Sequence, residues 1–330
     1  MTELIEKNNS QKKKSTQWGY EYLSSHGYAL KGILPEEVQN TPWSYVVRFV
    51  TSDGYIYLKH TPDLLALEPI IIQILHDKFH CTVPEVIAHN AELNCFLMKD
   101  AGRPLRETLK KQFDVRLLCG TIRQYTFMQL AVADHVNVFL DRGVPDWRLD
   151  KLPYLYQQLL SHKDVLIDDG LLDEEFKELT ALSSKVSYLC KKLSAYPIKQ
   201  TIDSCEFQDN NTLIDNKTQK MTITDLGEIV ISHPFFSLIN CLRLAKFHYS
   251  LDEKSDDYIA LLGACFKNYL DFDSQKNLLD AFALAGVLYF IYDALAVYRL
   301  MMACDKESFK LMNRHGRLAD ALRGFAKKLM

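Results

Sequence analysis

Polar and apolar positions alternate early in the chain, and apolar positions recur every three or four residues later. SYVVRFVT (44–51) and YIYLKH (55–60) are rich in β-branched and aromatic residues and flank Ser52-Asp53-Gly54, which predicts a hairpin with Lys59 on its second strand. TPDLLALEPIIIQILHDKF (61–79) then turns helical. Pro69 lacks an N–H and is tolerated only in a first turn, so that helix should begin near Leu67 or Glu68. TVPEVIAHN (82–90) and ELNCFLMK (92–99) predict a second hairpin with Asn90 near its turn. Gly102 and Pro104 break the pattern and mark a hinge.

Beyond residue 105 the spacing is helical, as in 121–143, 174–193 and the stretch from 237 to the C-terminus. The exception is 198–232, where two β-prone runs, NTLID and MTITDL, flank a turn at Asn216-Lys217. The apolar run AFALAGVLYFIY (281–292), bracketed by Asp280 and Asp293, is shorter than the ~18 residues a spanning helix needs and reads as a core helix.

A chain of 330 residues exceeds what one core usually supports, so two lobes sharing an interface are expected. With 48% hydrophobic and 25% charged residues and a net charge of -3, nothing draws the protein toward nucleic acid or acidic membranes. The eight cysteines form no CxxC pair and read as reduced thiols of a cytoplasmic protein. MTELIEKNNSQKKKST has no apolar stretch behind its lysines, which excludes a signal peptide and makes residues 1–17 a flexible tail.

A strand-borne lysine, a helix-borne glutamate, a hinge and late acidic or amide positions around a short hairpin together resemble the protein-kinase-like fold. SCEFQDNNTLID followed by TITDLGE is similar to the H-G-D-x-x-x-x-N and Asp-x-Gly/Glu motifs of the aminoglycoside phosphotransferase and choline kinase-like family. The resemblance runs from about residue 18 onward. It implies an α+β, bilobal fold: a small N-terminal lobe (18–98) with an antiparallel sheet and one helix, and a large, mostly helical C-terminal lobe (99–330). It also implies ATP and Mg²⁺ as cofactors and phosphoryl transfer to a hydroxyl of a small molecule.

Within that resemblance Asn211 and Asp225 match the magnesium ligands, where hard oxygen donors suit the ion. Lys59 matches the lysine that meets the nucleotide phosphates, and Glu68 its ion-pair partner. No Gly-rich loop precedes Lys59. Ser44 and main-chain N–H groups near Trp43 take its place, and main-chain groups at Leu97 to Lys99, centred on Met98, are expected to meet adenine.

The chain departs from the family at Ser204 and Glu206, which stand where the motif has His and the catalytic Asp. Glutamate keeps the carboxylate but moves its oxygens by about an ångström, a displacement that can cost on the order of a hundredfold in rate. Asp203 and Asp209 are nearby carboxylates that could stand in. The alternative is a pseudokinase that binds nucleotide or a protein partner without turnover. No Ala-Pro-Glu follows Asp225, which argues against a kinase acting on polypeptides.

Trp147 and His135 read as packing and surface residues, and His233-Pro234 as the end of a loop with a helix starting at Phe235. The acidic run at Asp252, Glu253, Asp256 and Asp257 either attracts a cationic acceptor or opens a solvated helix.

Overall fold

The structure, a computed structural model, describes residues 2–32 and 34–329, with side chains of 2–9 outside the description. Met1 of the expected tail, Ile33 of the expected first lobe and Met330 of the expected second lobe lie outside the described residues. In chain order, helix α1 (Thr2–Ser25) precedes strands β1 (Glu36–Asn40), β2 (Tyr45–Thr51) and β3 (Gly54–His60). A 3-10 turn (Asp63–Leu65) leads to α2 (Glu68–Asp77), β4 (Val86–Asn90) and β5 (Cys95–Lys99). Next come β6 (Arg103–Pro104), α3 (Leu105–Lys111), α4 (Val115–Val132), α5 (Asn137–Leu140), α6 (Leu152–Ser161), α7 (Lys163–Asp168), α8 (Asp173–Ala181) and α9 (Ser183–Leu193). Strand β7 (Thr201–Ser204), a 3-10 turn (Asp209–Asn211), β8 (Thr212–Ile214), β9 (Met221–Ile223) and β10 (Ile229–Ser232) interrupt the helices. The chain closes with α10 (Phe235–Tyr249), α11 (Asp256–Phe266), α12 (Gln275–Ala303), α13 (Lys306–Leu311) and α14 (Arg317–Leu329).

The fold is mixed, a small antiparallel sheet joined to a helical majority. The sheet has the order β1-β2-β3-β5-β4. Both expected hairpins form, with Val46 opposite Lys59 in the first. In the second, the Asn90 side chain accepts from the N–H groups of Glu92 (3.0 Å) and Leu93 (3.1 Å), which closes the turn. Val47, Phe49, Ile56 and Leu58 project from one face of the sheet and pack with Leu23 and Trp18 of α1. Lys59 and Val46 project from the other face.

The expected flexible tail is corrected by α1, which carries helix through Thr2–Ser25. Ser15 is fully buried, and its hydroxyl lies 3.4 Å from both His60 Nδ1 and the Leu93 carbonyl. Ser10 to Gln17 carries no apolar residue, so its periodicity gives no signal; the anchors Trp18, Tyr22 and Leu23 come only in the last turns. Strand β1 was hidden for a related reason, being exposed at every position of EEVQN on the sheet edge.

The helical segments break where caps intervene. Helix α4 starts earlier than its pattern suggests because Asp114 accepts from Arg116 N–H (2.9 Å), and it ends before His135. The second segment divides into α8 and α9 at Leu182. Ser255 caps α11 by accepting from Tyr258 N–H, with Asp256 and Asp257 in the first turn, so this part of the acidic run opens a helix. The apolar 281–292 run lies within α12, which packs against α9, α10 and α14. Among the described residues α12 is the one helix long and apolar enough to cross a membrane, and 56% of its most apolar window is buried inside the protein. Trp147 is buried and packs edge-on against Tyr292, as expected of a packing residue.

Gly102 allows the sheet to connect to the helical part. Its φ is +111°, and a Cβ there would stand 2.3 Å from the Ile214 carbonyl oxygen. Gly102→Ala should therefore lower stability by at least about 1–3 kcal/mol, read from urea denaturation. A second prediction concerns His233, which is 1% exposed at the start of α10, where Nδ1 accepts from Phe235 N–H (3.3 Å) and burial depresses its pKa from 6.5 to about 3. A group depressed in this way adds stability that is present above pH 6.5 and lost as the pH falls toward 3. His233→Asn keeps an acceptor for Phe235 and should narrow the stability difference between neutral and mildly acidic buffer.

Candidate functional site

Three charged groups meet where the sheet faces the helices. Lys59 projects from β3, and Pro69 near the start of α2 fixes where that helix begins and hence where Glu68 lies. The Lys59 ammonium lies 2.7 Å from Glu68 Oε2 and 2.5 Å from Asp225 Oδ1. Glu68 is 1% exposed, Lys59 5%, while the Asp225 side chain remains 46% exposed, so the pair is buried at one end and open at the other. Burial works against the charge on Lys59, but Asp225 and Glu68 outweigh it and raise its pKa above the usual lysine value. Burial pushes Glu68 upward, opposed by Lys59 and by the Leu226 N–H that its Oε1 accepts at 3.1 Å.

Asp225 follows β9 with a φ of +61°, a left-handed conformation that costs energy for a residue with a Cβ. The preceding residue ties it to the earlier motif, since Thr224 N–H donates to the Asn211 carbonyl at 2.9 Å. Asn211 is 8% exposed, and its Nδ2 donates to the Glu206 carbonyl at 2.9 Å, leaving Oδ1 as the side-chain oxygen for another ligand. The structure thus brings Lys59, Glu68, Asn211, Asp225 and Glu206 into one neighbourhood.

Glu206 is half-buried, and its carboxylate accepts from Gln208 Nε2 at 2.9 Å. Burial raises its pKa, Arg314 opposes that, and Asp225 and Asp293 add to it. Glu228, three residues beyond Asp225, is pushed up to about 8 by burial and then by Glu206 and Asp225. The carboxylates repel one another, and Arg314 and Arg317 offset part of that repulsion.

Other expected residues lie elsewhere. Asp203 is fully buried in the helical core, with Oδ1 accepting from Gln129 Nε2 (3.1 Å) and from the Ser237 hydroxyl, and burial raises its pKa far above the carboxylate range. It is a core group and not a stand-in for Glu206. Asp209 is spent on Arg106, at 2.7 Å, and on the Tyr249 hydroxyl. Met98 sits in β5 between Tyr57 of β3 and Val86 of β4, so sheet pairing engages its main chain; the strand ends one residue later, at Lys99.

Ser44 also departs from expectation. Its carbonyl closes the β1–β2 turn by accepting from Thr41 N–H (2.8 Å), while its buried Oγ has no partner. It lines a cleft of about 950 Å³ with Lys12, His60, Asp63 and Asp305, to which Lys59, Glu68 and Asp225 do not contribute. Trp43, in the same turn, packs on Phe309 of α13 (centroids 6.4 Å apart) with the Arg314 guanidinium 5.3 Å from its ring. The turn is thus held by the C-terminal helices.

Sequence reasoning missed Arg299, whose guanidinium donates to the carbonyls of Leu64, Gly227, Glu228 and Ile229. The signal was available, because a lone cation inside the apolar run LAVYRLMM of α12 calls for a buried partner. Arg314 and Arg317, by contrast, carry no local pattern that points to Glu206.

Among the described residues no group of three or more His, Cys, Asp or Glu side chains is set to hold a metal unaided. The donor set of one amide oxygen and one half-exposed carboxylate fits magnesium, which keeps waters and relies on substrate phosphates for further ligands.

No family model matches the chain, and no curated protein matches it in sequence. Solved structures do. An ethanolamine kinase from Plasmodium vivax superposes with a TM-score of 0.61 at 12% identity, covering 89% of this chain and 82% of that one. A macrolide 2'-phosphotransferase from Brachybacterium faecium gives 0.57 at 12% identity over 94% and 98%. An amicoumacin kinase solved in complex with AMP-PNP and Ca²⁺ gives 0.57 at 12% identity over 94% and 93%. At these identities the likeness speaks for the fold, and it spans four fifths or more of each partner. The chain has the fold of the aminoglycoside phosphotransferase and choline kinase-like proteins.

Proposed function

We propose that the protein is an ATP- and Mg²⁺-dependent phosphotransferase that moves the γ-phosphate to a hydroxyl of a small molecule, in a cleft between a sheet-bearing lobe (18–98) and a helical lobe (99–330). The observation that carries this is the Lys59 ammonium held 2.7 Å from Glu68 and 2.5 Å from the half-exposed Asp225. A buried lysine fixed by one carboxylate and shared with a second, exposed one is poised to exchange the exposed partner for phosphate oxygens. The solved kinases with this fold that hold AMP-PNP or ADP support nucleotide as the ligand.

In this reading Asp225 and Asn211 Oδ1 hold the magnesium, which offsets charge on the phosphates when bound. Lys59 grips the phosphates, and Glu68 keeps the lysine from folding back. Adenine lies beside the stretch after β5, where the chain leaves the sheet at Asp100 to Gly102. Glu206 orients the acceptor hydroxyl. Burial raises its pKa, and phosphoryl transfer depends chiefly on positioning and charge rather than on full proton abstraction. Arg314 opposes that shift and favours the ionised form.

Two outcomes test the reading. AMP-PNP with magnesium should raise the thermal midpoint of the protein as ligand concentration rises, and Asp225→Asn should remove the magnesium-dependent part while leaving the fold intact. An unchanged midpoint at millimolar nucleotide would rule the proposed cleft out as a nucleotide site. For chemistry, Glu206→Asp should raise alcohol-dependent ADP formation from ATP across a panel of alcohols, because it shortens the side chain by the methylene that displaces its oxygens. Nucleotide binding with no ADP formation in either form, across the panel, favours a protein that binds nucleotide without turnover.

A further inference from the structure

Arg299 sits half-buried near the C-terminal end of α12, and each of its four hydrogen bonds ends on a main-chain carbonyl. Nη2 donates to Leu64 at 3.0 Å and Gly227 at 3.3 Å; Nη1 donates to Glu228 at 3.2 Å and Ile229 at 3.4 Å. Leu64 belongs to the 3-10 turn immediately before α2, whose first residue is Glu68. Gly227 to Ile229 run on from Asp225. One planar group therefore joins the segment that delivers Glu68 to the segment that delivers Asp225.

The join is close. A Cβ on Gly227 would lie 3.3 Å from both Glu68 Oε2 and the Leu65 carbonyl oxygen, so the two segments touch through a residue without a side chain. Asp225 itself is held in a left-handed conformation, which persists only where the surroundings over-determine it. Three successive carbonyls after it point toward one place and need a donor with several N–H groups. A guanidinium has five in a fixed fork and stays charged throughout the accessible pH range; an ammonium is a point charge without that fork.

We infer that Arg299 is a positioning residue for metal binding at Asp225, acting through the main chain of residues 227–229 and holding that strand start against the base of α2. The inference rests on the reading that Asp225 holds nucleotide-bound magnesium. A ligating carboxylate must keep its direction to within a fraction of an ångström, and here that direction is set by a turn whose far side is gripped by a residue from a helix at the other end of the chain.

The test compares wild type with Arg299→Lys and Arg299→Ala. Mn²⁺ is titrated into protein saturated with AMP-PNP and followed by its free-ion paramagnetic resonance signal, and AMP-PNP is titrated separately in chelator. Loss of the outer support of a metal ligand typically costs about 10–100-fold in metal affinity, and both variants should show a loss in that range while metal-free nucleotide binding is unchanged. Ethylguanidinium added to the Ala variant should restore part of the metal affinity. Hydrogen exchange on the ligand-free Lys variant should show the amides of 64–66 and 225–229 opening together, with the middle of α12 protected as before.

Equal losses in metal and metal-free binding, with exchange raised throughout α12, would make Arg299 an ordinary packing residue and overturn the inference, as would unchanged metal affinity. Should wild type bind no Mn²⁺ with AMP-PNP, the functional reading falls. In that case joint opening of the two segments still upholds Arg299 as their link, whereas independent opening removes it. Should the Ala variant not fold, the Lys variant carries both measurements.

Discussion

A buried ammonium between two carboxylates is the constraint on which the site depends. Lys59 cannot be buried unpaired, because removing a charge from water costs several kcal/mol unless opposite charge and hydrogen bonds replace the lost hydration. Glu68 supplies one partner from inside and Asp225 the other from the open edge. The consequence is structural before it is chemical. Strand β3, the first turn of α2 and the turn after β9, far apart in sequence, must arrive at one point, and the sheet and the helices are fixed against each other there. Removing the buried Glu68 would leave the buried lysine to Asp225 alone, whereas the half-exposed Asp225 can be replaced with water close at hand.

The carboxylates nearby answer to the same electrostatics with a different result. Burial raises the pKa of both Glu206 and Glu228, and repulsion among them and Asp225 adds to the effect, taking Glu228 to about 8. Arg314 and Arg317 approach from the joint between α13 and α14 and reduce that repulsion without cancelling it. The C-terminal helices thus supply part of the charge balance around Glu206 while Trp43 ties the β1–β2 turn to them.

Much of this was legible in the sequence because the relevant residues sit on short, strongly patterned pieces. The Asp53-Gly54 turn fixed the register that points Lys59 away from α1, Pro69 fixed the start of α2, and the five-residue spacing from Glu206 to Asn211 carried the late motif. What failed did so for physical reasons. Asp203 and Glu206 are three positions apart, and only the pairing of β7 with β10 decides that Asp203 enters the core. Main-chain groups centred on Met98 were expected to face adenine, whereas β5 is an inner strand whose neighbours on both sides engage them. Ser44 belongs to a turn whose direction is set by Trp43 packing on α13, a contact between residues no local pattern connects. Helix α1 was taken for a tail because a helix anchored by its last turns shows no amphipathic stripe over its first ones.

The cysteines bear on how this protein can be followed in solution. Cys81, Cys95, Cys119, Cys190, Cys205, Cys241 and Cys265 are buried, and only Cys304 is partly exposed. Burial raises the Cys304 thiol to about 11, so even this sulfur is mostly un-ionised at neutral pH and reacts slowly. The folded chain is therefore nearly inert toward thiol reagents, whereas the unfolded chain offers eight equivalents. The stoichiometry of alkylation counts open molecules directly, and the order in which individual sulfurs become labelled reports whether the sheet, through Cys95, or the helical core, through Cys241 and Cys265, comes apart first.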